Sequence, residues 1–153
     1  MARIVVLDAG PLGLVALARG KHPADTCRAW IKSLETRGVV IAVPEIADYE
    51  VRRELLRIGA TASLARLDAM KRGAFFLPIY SAAMSKAAEF WALLRRGGAP
   101  TAAPGDLDGD AILAAQTVLA ARPGDIVTIA TTNVGHLVRF PNVDARLWPT
   151  VIR

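Results

Sequence analysis

Residues 4–7, Ile-Val-Val-Leu, place four apolar side chains in an unbroken row, and three of the four are β-branched. β-branched side chains favour extended backbone. A strand without apolar and polar alternation must be covered on both faces, which is typical of the centre of a parallel sheet. Asp8 follows directly, so we expect a charged side chain at the point where a buried strand ends.

The rest of the chain alternates apolar runs with amphipathic stretches. The predicted strands are residues 4–7, 39–43, 74–79, 126–130 and 146–148. The predicted helices are residues 24–36, 44–58, 61–71, 82–96, 109–121 and 134–140. This order predicts an α/β fold with a central, mostly parallel sheet and helices on both faces. A length of 153 residues favours a single domain spanning residues 1–153.

The composition limits the class of protein. An apolar fraction of 53% with 22% charged residues is typical of a folded globular chain. Nineteen Lys and Arg residues against fourteen Asp and Glu give a net charge of +5, which indicates a polyanionic partner. The single cysteine, Cys27, cannot form an intrachain disulfide, so a reducing cytoplasm is the expected location.

The apolar stretch near the N-terminus raises the question of a leader or a membrane anchor. Asp8 interrupts this stretch, and Gly10, Pro11 and Gly13 favour a turn after the first strand. The stretch is also too short to span a bilayer. We therefore expect no membrane association. Residues 95–105 are rich in Gly, Pro and Ala and are predicted to be a mobile connection within the domain.

Polar side chains occur where the predicted strands end, at the edge of a parallel sheet that usually binds ligands. The acids and the amide concerned are Asp8, Glu50, Asp106, Asp108, Asp110 and Asn133. Carboxylates that lie a few ångströms apart repel each other unless a cation lies between them. Because hard oxygen ligands favour Mg²⁺ or Mn²⁺, the pattern predicts a divalent metal site.

Each acid also has a purely structural interpretation. Asp8 could cap a helix that begins near Pro11, and either Asp108 or Asp110 could cap the helix that follows them. Glu50 could be a solvated helix residue balanced by the charge of Arg53. Spacing alone leaves the metal site and these alternatives open.

Other residue types predict less. His136 and Cys27 have no evident partner for nucleophilic catalysis, and residues 10–13 lack the spacing and the lysine of a phosphate-binding loop. The three tryptophans, Trp30, Trp91 and Trp148, fall at apolar positions. We expect them to lie in the core rather than to serve as stacking platforms.

Four segments, taken in order, carry a resemblance to a known family. They are Leu-Asp-Ala-Gly-Pro-Leu at 7–12, Val-Pro-Glu-Ile-Ala-Asp-Tyr-Glu-Val-Arg-Arg-Glu-Leu at 43–55, Leu-Asp-Gly-Asp-Ala-Ile-Leu-Ala-Ala at 107–115 and Ala-Thr-Thr-Asn-Val-Gly-His-Leu at 130–137. These segments resemble the motifs of PIN-domain nucleases, most closely the VapC-type toxins of type II toxin–antitoxin pairs. The resemblance covers nearly the whole chain and implies a three-layer α/β/α sandwich around a parallel sheet.

The resemblance also implies roles for individual residues. Asp8 matches the first acid of the family, Glu50 the second and Asp110 the third, and Asp108 would be an auxiliary acid. The fourth acidic position falls on Asn133, which would be a weak metal ligand. Together these side chains would hold one or two Mg²⁺ or Mn²⁺ ions.

The implied activity is that of a metal-dependent endoribonuclease that hydrolyses RNA phosphodiester bonds and is held by a cognate antitoxin protein. The arginines expected to neutralise RNA phosphates are Arg52, Arg53, Arg95 and Arg96. A homodimer is implied as well, with the helices at 61–71 and 82–94 offering apolar surface. The alternatives are a catalytically weak RNA-binding or regulatory module and a metal-dependent DNA nuclease or phosphatase.

Overall fold

The computed structural model describes residues 1–97 and 104–151, which form five strands, seven α-helices and one 3₁₀ turn, Trp148–Thr150. The strands are β1 (Arg3–Leu7), β2 (Val40–Pro44), β3 (Phe75–Leu77), β4 (Ile126–Thr131) and β5 (Asp144–Leu147). The helices are α1 (Ala9–Val15), α2 (His22–Thr36), α3 (Glu45–Arg57), α4 (Thr61–Gly73), α5 (Ser81–Arg96), α6 (Pro104–Ala120) and α7 (Val134–Leu137). The predicted alternation of strands and helices is confirmed.

The five strands form one sheet in the order β3-β2-β1-β4-β5, and all neighbouring strands are parallel. β1 lies at the centre, where Val5 pairs with Ile41 of β2 on one side and with Thr128 of β4 on the other. The unbroken apolar run of β1 is therefore explained by its position, because both of its faces are covered.

Successive residues of β1 point to opposite faces of the sheet. Val5 and Leu7 belong to a core formed with α1, α2, α3 and α4, whereas Ile4 and Val6 belong to a core formed mainly with α5, α6 and α7. Helices thus cover the sheet on both sides. The predicted three-layer α/β/α sandwich is confirmed.

The turn predicted after β1 is wrong, because α1 begins at Ala9. Gly10 and Pro11 occupy the first turn of this helix, where the backbone N–H that proline lacks would have no partner within the helix. Glycine and proline break a helix in its interior, but these two residues stand in a first turn, where they are tolerated. Asp8 is the N-cap of α1, as the structural interpretation of this residue proposed.

The helix predicted at 109–121 begins five residues earlier, at Pro104. Asp108 and Asp110 therefore lie inside α6, and the prediction that one of them caps it is wrong. In the connection predicted at 95–105, α5 extends to Arg96, and residues 98–103 lie outside the described residues.

Pro44 was predicted in the first turn of a helix but ends β2, where it pairs with Leu77 of β3. Pro44 is also the N-cap of α3, where its backbone is extended. The same residue can therefore end the strand and precede the helix. The remaining boundaries differ from prediction by three residues or fewer. No helix within the described ranges is long and apolar enough to cross a membrane.

The face of α5 that is buried carries Ala83, Ala87 and Phe90. The ring of Phe90 packs at a centroid distance of 5.6 Å from the ring of Phe140. Trp91, which was expected in the core, is 39% exposed, so that expectation is wrong for this residue.

Cys27 is fully buried on α2 and donates its thiol to the carbonyl oxygen of Pro11 at 3.5 Å. Burial raises the pKa of this thiol to about 12. The thiol therefore stays protonated near neutral pH, which removes it as a nucleophile.

Candidate functional site

A cavity of about 490 Å³ lies beyond the carboxyl ends of β1 and β4. The strand order reverses at this place, because the chain builds outward from β1 to β2 and β3 on one side and to β4 and β5 on the other. Ligands of parallel sheets bind at such a reversal. Five carboxylates line the cavity, namely Asp8, Glu50, Asp106, Asp108 and Asp110.

The end of β1 and the first turn of α1 hold Asp8 in place. One carboxylate oxygen of Asp8 accepts a hydrogen bond from the backbone N–H of Ala9 at 2.7 Å, and the other accepts from the hydroxyl of Thr131 at 2.6 Å. Asp8 is therefore both a helix cap and a cavity residue, so the two interpretations of this acid are compatible. The hydroxyl that contacts Asp8 comes from the end of β4.

Glu50 projects from α3 towards the first turns of α6. A Cβ atom at Gly109 would lie 3.0 Å from Oε1 of Glu50, so the carboxylate packs against the backbone of α6. The ion pairs of the described residues do not include one between Glu50 and Arg53. Burial raises the pKa of the Glu50 carboxyl, and the negative charge of Asp8 raises it further.

Among the cavity acids, Asp110 gives the clearest evidence that the negative charge of the cavity is not neutralised. Its Oδ2 atom is buried without a hydrogen-bond partner in the described part of the chain, and Nδ1 of His136 lies 3.6 Å from it. Burial raises the pKa of Asp110 to about 6, and the charge of Asp8 contributes to this rise. A buried carboxylate oxygen without a partner is unfavourable unless a cation or a proton approaches it.

The donor set of the cavity suits a hard divalent cation, because carboxylate oxygens are the preferred ligands of Mg²⁺ and Mn²⁺. In the arrangement described here, no three Asp, Glu, His or Cys side chains of the described residues are close enough to share one ion. Mutual repulsion keeps unneutralised carboxylates apart. The unpartnered Oδ2 of Asp110 fits a metal, provided that a neighbouring carboxylate rotates towards it.

Asn133 and His136 form the wall of the cavity that follows β4. Nδ2 of Asn133 lies 2.9 Å from Nδ1 of His136, and the backbone N–H of Asn133 donates to the hydroxyl of Thr131 at 2.9 Å. Asn133 is thus brought to the cavity as its proposed role as a weak ligand requires. His136 was assigned no role from the sequence, although its place three residues after Asn133 puts both on one helix face.

Asp106, one of the acids near the predicted sheet edge, also lines the cavity, although the family resemblance implies no role for it. Its distance of four residues from Asp110 would have placed both acids on one face of α6. That inference required a helix that begins before residue 106, whereas the prediction began it at 109. Asp108 lies between them, is exposed, and contributes to the same cavity.

The two neighbouring arginines of α3 have different environments. Arg53 lines the acidic cavity. Arg52 instead donates to Asp48 at 2.9 Å and 3.1 Å and to Asp68 of α4 at 2.7 Å. These bonds tie α3 to α4, so the structure does not bring Arg52 to the cavity.

The two arginines at the end of α5 also lie in different environments. The guanidinium of Arg95 lies 5.3 Å from the ring centroid of Trp91, in the region of an apolar groove that adjoins the acidic cavity. Arg96 lines a different cleft between α5 and residues 141–142. Of the four predicted arginines, Arg53 lines the cavity, and Arg95 lies beside Trp91.

The parallel sheet, with an acidic cavity at its carboxyl edge where the strand order reverses, defines a doubly wound α/β protein. No family model matches the chain, and no curated protein matches it.

Two solved structures have a similar fold over nearly the full chain. A chain in the structure of VapBC2 from Rickettsia felis bound to a DNA fragment from their promoter has a TM-score of 0.70 and 18% identity, with 95% of this chain and 98% of that chain covered. A chain in the structure of DNA-bound VapBC from Salmonella typhimurium has a TM-score of 0.66 and 17% identity, with 97% and 99% covered. The predicted PIN-like fold is confirmed, and a chain in each of these VapBC structures shares it.

Proposed function

We propose that the protein is a Mg²⁺- or Mn²⁺-dependent endoribonuclease and the toxin of a toxin–antitoxin pair. The observation that carries this proposal is the cavity itself. Five carboxylates line this cavity in a chain of net charge +5, and the buried Oδ2 of Asp110 has no hydrogen-bond partner in the described residues. An acidic cavity cannot attract RNA by its own charge, and a bound dication resolves that difficulty.

The roles of the side chains follow from their positions. Asp8, Glu50 and Asp110 would hold the ion, with Asp108 and Asn133 as further oxygen donors. When bound, the ion supplies positive charge that activates water for attack at phosphorus and stabilises the departing oxygen.

The residues around these ligands orient the site. Thr131 fixes one oxygen of Asp8 through its hydroxyl, so the carboxylate enters the cavity in one orientation. Arg53, at the cavity rim, would neutralise a backbone phosphate of the substrate without reading its sequence.

The fold of the VapBC structures supports the proposal of a protein partner. Both structures are complexes bound to DNA, and the chain with this fold is one component of each. We propose that this chain is likewise held by an antitoxin protein and that RNA is its substrate.

The decisive experiment compares cleavage of single-stranded and structured RNA with cleavage of DNA of the same sequence, with Mn²⁺, with Mg²⁺ and with EDTA. We expect RNA cleavage that requires a divalent ion and is much slower on DNA. RNA binding without cleavage in Mn²⁺ would favour the binding or regulatory module. Cleavage of DNA but not RNA would favour the DNA nuclease, and release of phosphate from small esters would favour the phosphatase.

Gly109 allows a test of the position of Glu50. In Gly109→Ala the new Cβ would lie 3.0 Å from Oε1 of Glu50, so the carboxylate must move by a few tenths of an ångström. We expect cleavage at limiting Mn²⁺ to fall by about tenfold, since small displacements of catalytic groups have large effects. The control is Gly73→Ala at the end of α4, where a Cβ meets nothing within 4 Å. Equal activity of Gly109→Ala and wild type at every Mn²⁺ concentration would contradict this role of Glu50.

A further inference from the structure

An exposed aromatic side chain and an arginine lie together at the rim of the acidic cavity. Tyr49 and Arg53 are one helical turn apart on α3, and both line the cavity. The guanidinium carbon of Arg53 lies 5.1 Å from the ring centroid of Tyr49. The tyrosine is 55% exposed. A large ring left in solvent beside a cation is available to a ligand.

A second pair of the same kind lies on α5. Trp91 and Arg95 are again one turn apart, with the guanidinium 5.3 Å from the indole centroid. Trp91 lines an apolar groove of about 370 Å³ together with Met84 and residues of α6. Asp108 and Ile112 line both this groove and the acidic cavity, so the two spaces adjoin each other at α6.

Arg53 and Arg95 make no ion pair with the described residues, although the charge of Arg53 acts on Glu50 and offsets part of the rise that burial causes in the pKa of that carboxyl. Within residues 1–97 and 104–151, no carboxylate lies within 4 Å of Arg53 or Arg95. The Nε atom of Arg95 is buried and makes no hydrogen bond to that part of the chain. By contrast, Arg52 is satisfied by two aspartates.

We propose that Tyr49 and Trp91 are two base-stacking platforms that hold unpaired nucleotides on either side of the phosphate that enters the acidic cavity. This inference rests on the proposed function, because it takes RNA as the ligand. Bases stack on aromatic rings whatever their sequence, and the arginine beside each ring meets the adjoining phosphate. The pairing of ring and cation fits a nucleotide, whereas an apolar peptide would leave both guanidinium groups without an anion.

The proposal specifies the form of the substrate. Bases inside a duplex are stacked on their neighbours and cannot reach protein rings, so the platforms require nucleotides that are unpaired and splayed out. RNA in the site must therefore be a single strand, a loop or a bulge. The two platforms would contribute affinity for the bases, and the arginines would contribute salt-dependent affinity for the backbone.

The test measures binding in Ca²⁺, a hard dication that can neutralise the cavity carboxylates, and checks by gel electrophoresis that the RNA stays intact. The ligands are a single-stranded oligouridine hexamer and a blunt 12-base-pair RNA duplex, each titrated against wild type, Tyr49→Ala and Trp91→Ala. We expect each substitution to raise the Kd for the hexamer by about tenfold or more and to leave the Kd for the duplex unchanged. The conservative variants Tyr49→Phe and Trp91→Phe should stay within about threefold of wild type. Phe75→Ala removes a ring that is also 55% exposed but lies on the edge strand β3 and lines neither the acidic cavity nor the apolar groove, so this variant should bind the hexamer as wild type does.

Two further readouts separate stacking from a general loss of structure. The hexamer should quench the emission of Trp91, and Trp91→Phe should remove this quenching, because Trp148 is buried and packs edge to face against Trp30. Alanine at position 49 or 91 should leave the slope of log Kd against log salt unchanged. Arg53→Gln and Arg95→Gln should each reduce that slope by about 0.7.

Several results would overturn the proposal: wild type that does not bind the hexamer, alanine variants that bind it as wild type does, or binding without quenching of Trp91. Failure of the proposed function looks different. If the protein binds the hexamer with quenching but cleaves no RNA in Mn²⁺, the stacking platforms are supported and the nuclease activity is contradicted. If the variant with both Tyr49 and Trp91 replaced cleaves RNA with an unchanged KM, the nuclease activity is supported and the platforms are contradicted.

Discussion

Asp110→Asn should abolish most metal-dependent RNA cleavage while leaving the fold intact. The substitution keeps the shape of the side chain but removes a charge from the group whose Oδ2 atom is buried and unpartnered in the described chain. Loss of a carboxylate ligand removes several kcal/mol of stabilisation from the transition state, which corresponds to a rate about 10³-fold lower. Single-turnover cleavage in Mn²⁺, together with circular dichroism of the variant, measures both parts of this expectation.

Asp8→Asn provides a second test of the same site. The amide oxygen can still accept from the N–H of Ala9, so the cap of α1 is retained while the charge is lost. The matched control is Glu54→Gln, since Glu54 lies one turn from Glu50 on α3 and pairs with exposed Arg57 at the surface. Surface pairs of this kind contribute little, so the control should cleave at the wild-type rate. Wild-type cleavage by either aspartate variant would contradict the assignment of these acids as metal ligands.

The central position of β1 could be predicted because its sequence allows little else. A strand of four consecutive apolar residues needs cover on both faces, and the acid after it then lies at the carboxyl edge of the sheet. The same reasoning brought Asp8, Glu50 and the acids at 106–110 into consideration at one edge of the sheet, but it left a metal site and structural roles open. The resemblance to PIN-domain nucleases then singled out Asp8, Glu50 and Asp110.

The start of α6 could not be predicted in the same way. Pro104 and Gly105 are compatible with a loop as well as with the first turn of a helix. The predicted helix begins only at residue 109, so the sequence does not show that Asp106 and Asp110 share a helix face. The exposure of Trp91 could not be predicted either, because the buried face of α5 depends on Phe140, a residue far along the chain that packs against Phe90. Trp91 therefore lies at the apolar groove because of tertiary contacts, which the local sequence does not show.

Asp110→Asn should also stabilise the metal-free protein. Burial and the charge of Asp8 raise the pKa of Asp110 from 3.8 to about 6. Because the charged form is disfavoured in the folded state, ionised Asp110 destabilises the fold at neutral pH by up to about 3 kcal/mol. The amide removes that charge but leaves a buried polar group, so we expect a net gain of about 1–2 kcal/mol. For a chain of this size the melting temperature in EDTA at pH 7.5 should rise by about 3–6 °C.

The dependence on pH and on metal identifies the cause of this gain. Above pH 6 Asp110 is ionised in the folded state, and the destabilisation is fully present. As the pH falls through 6 towards 4, wild-type Asp110 binds a proton in the folded state before it does so in the unfolded state, so the wild type recovers and the two proteins converge. Mn²⁺ at pH 7.5 should stabilise the wild type more than the variant, because the ion binds the folded state that has the carboxylate.

Urea unfolding of both proteins at pH 7.5 and pH 4.5, with EDTA and with Mn²⁺, measures each comparison. A variant that unfolds more easily than wild type in EDTA at pH 7.5 would mean that Asp110 supports the fold as a charged group, and the cavity would then not be a site of unbalanced negative charge.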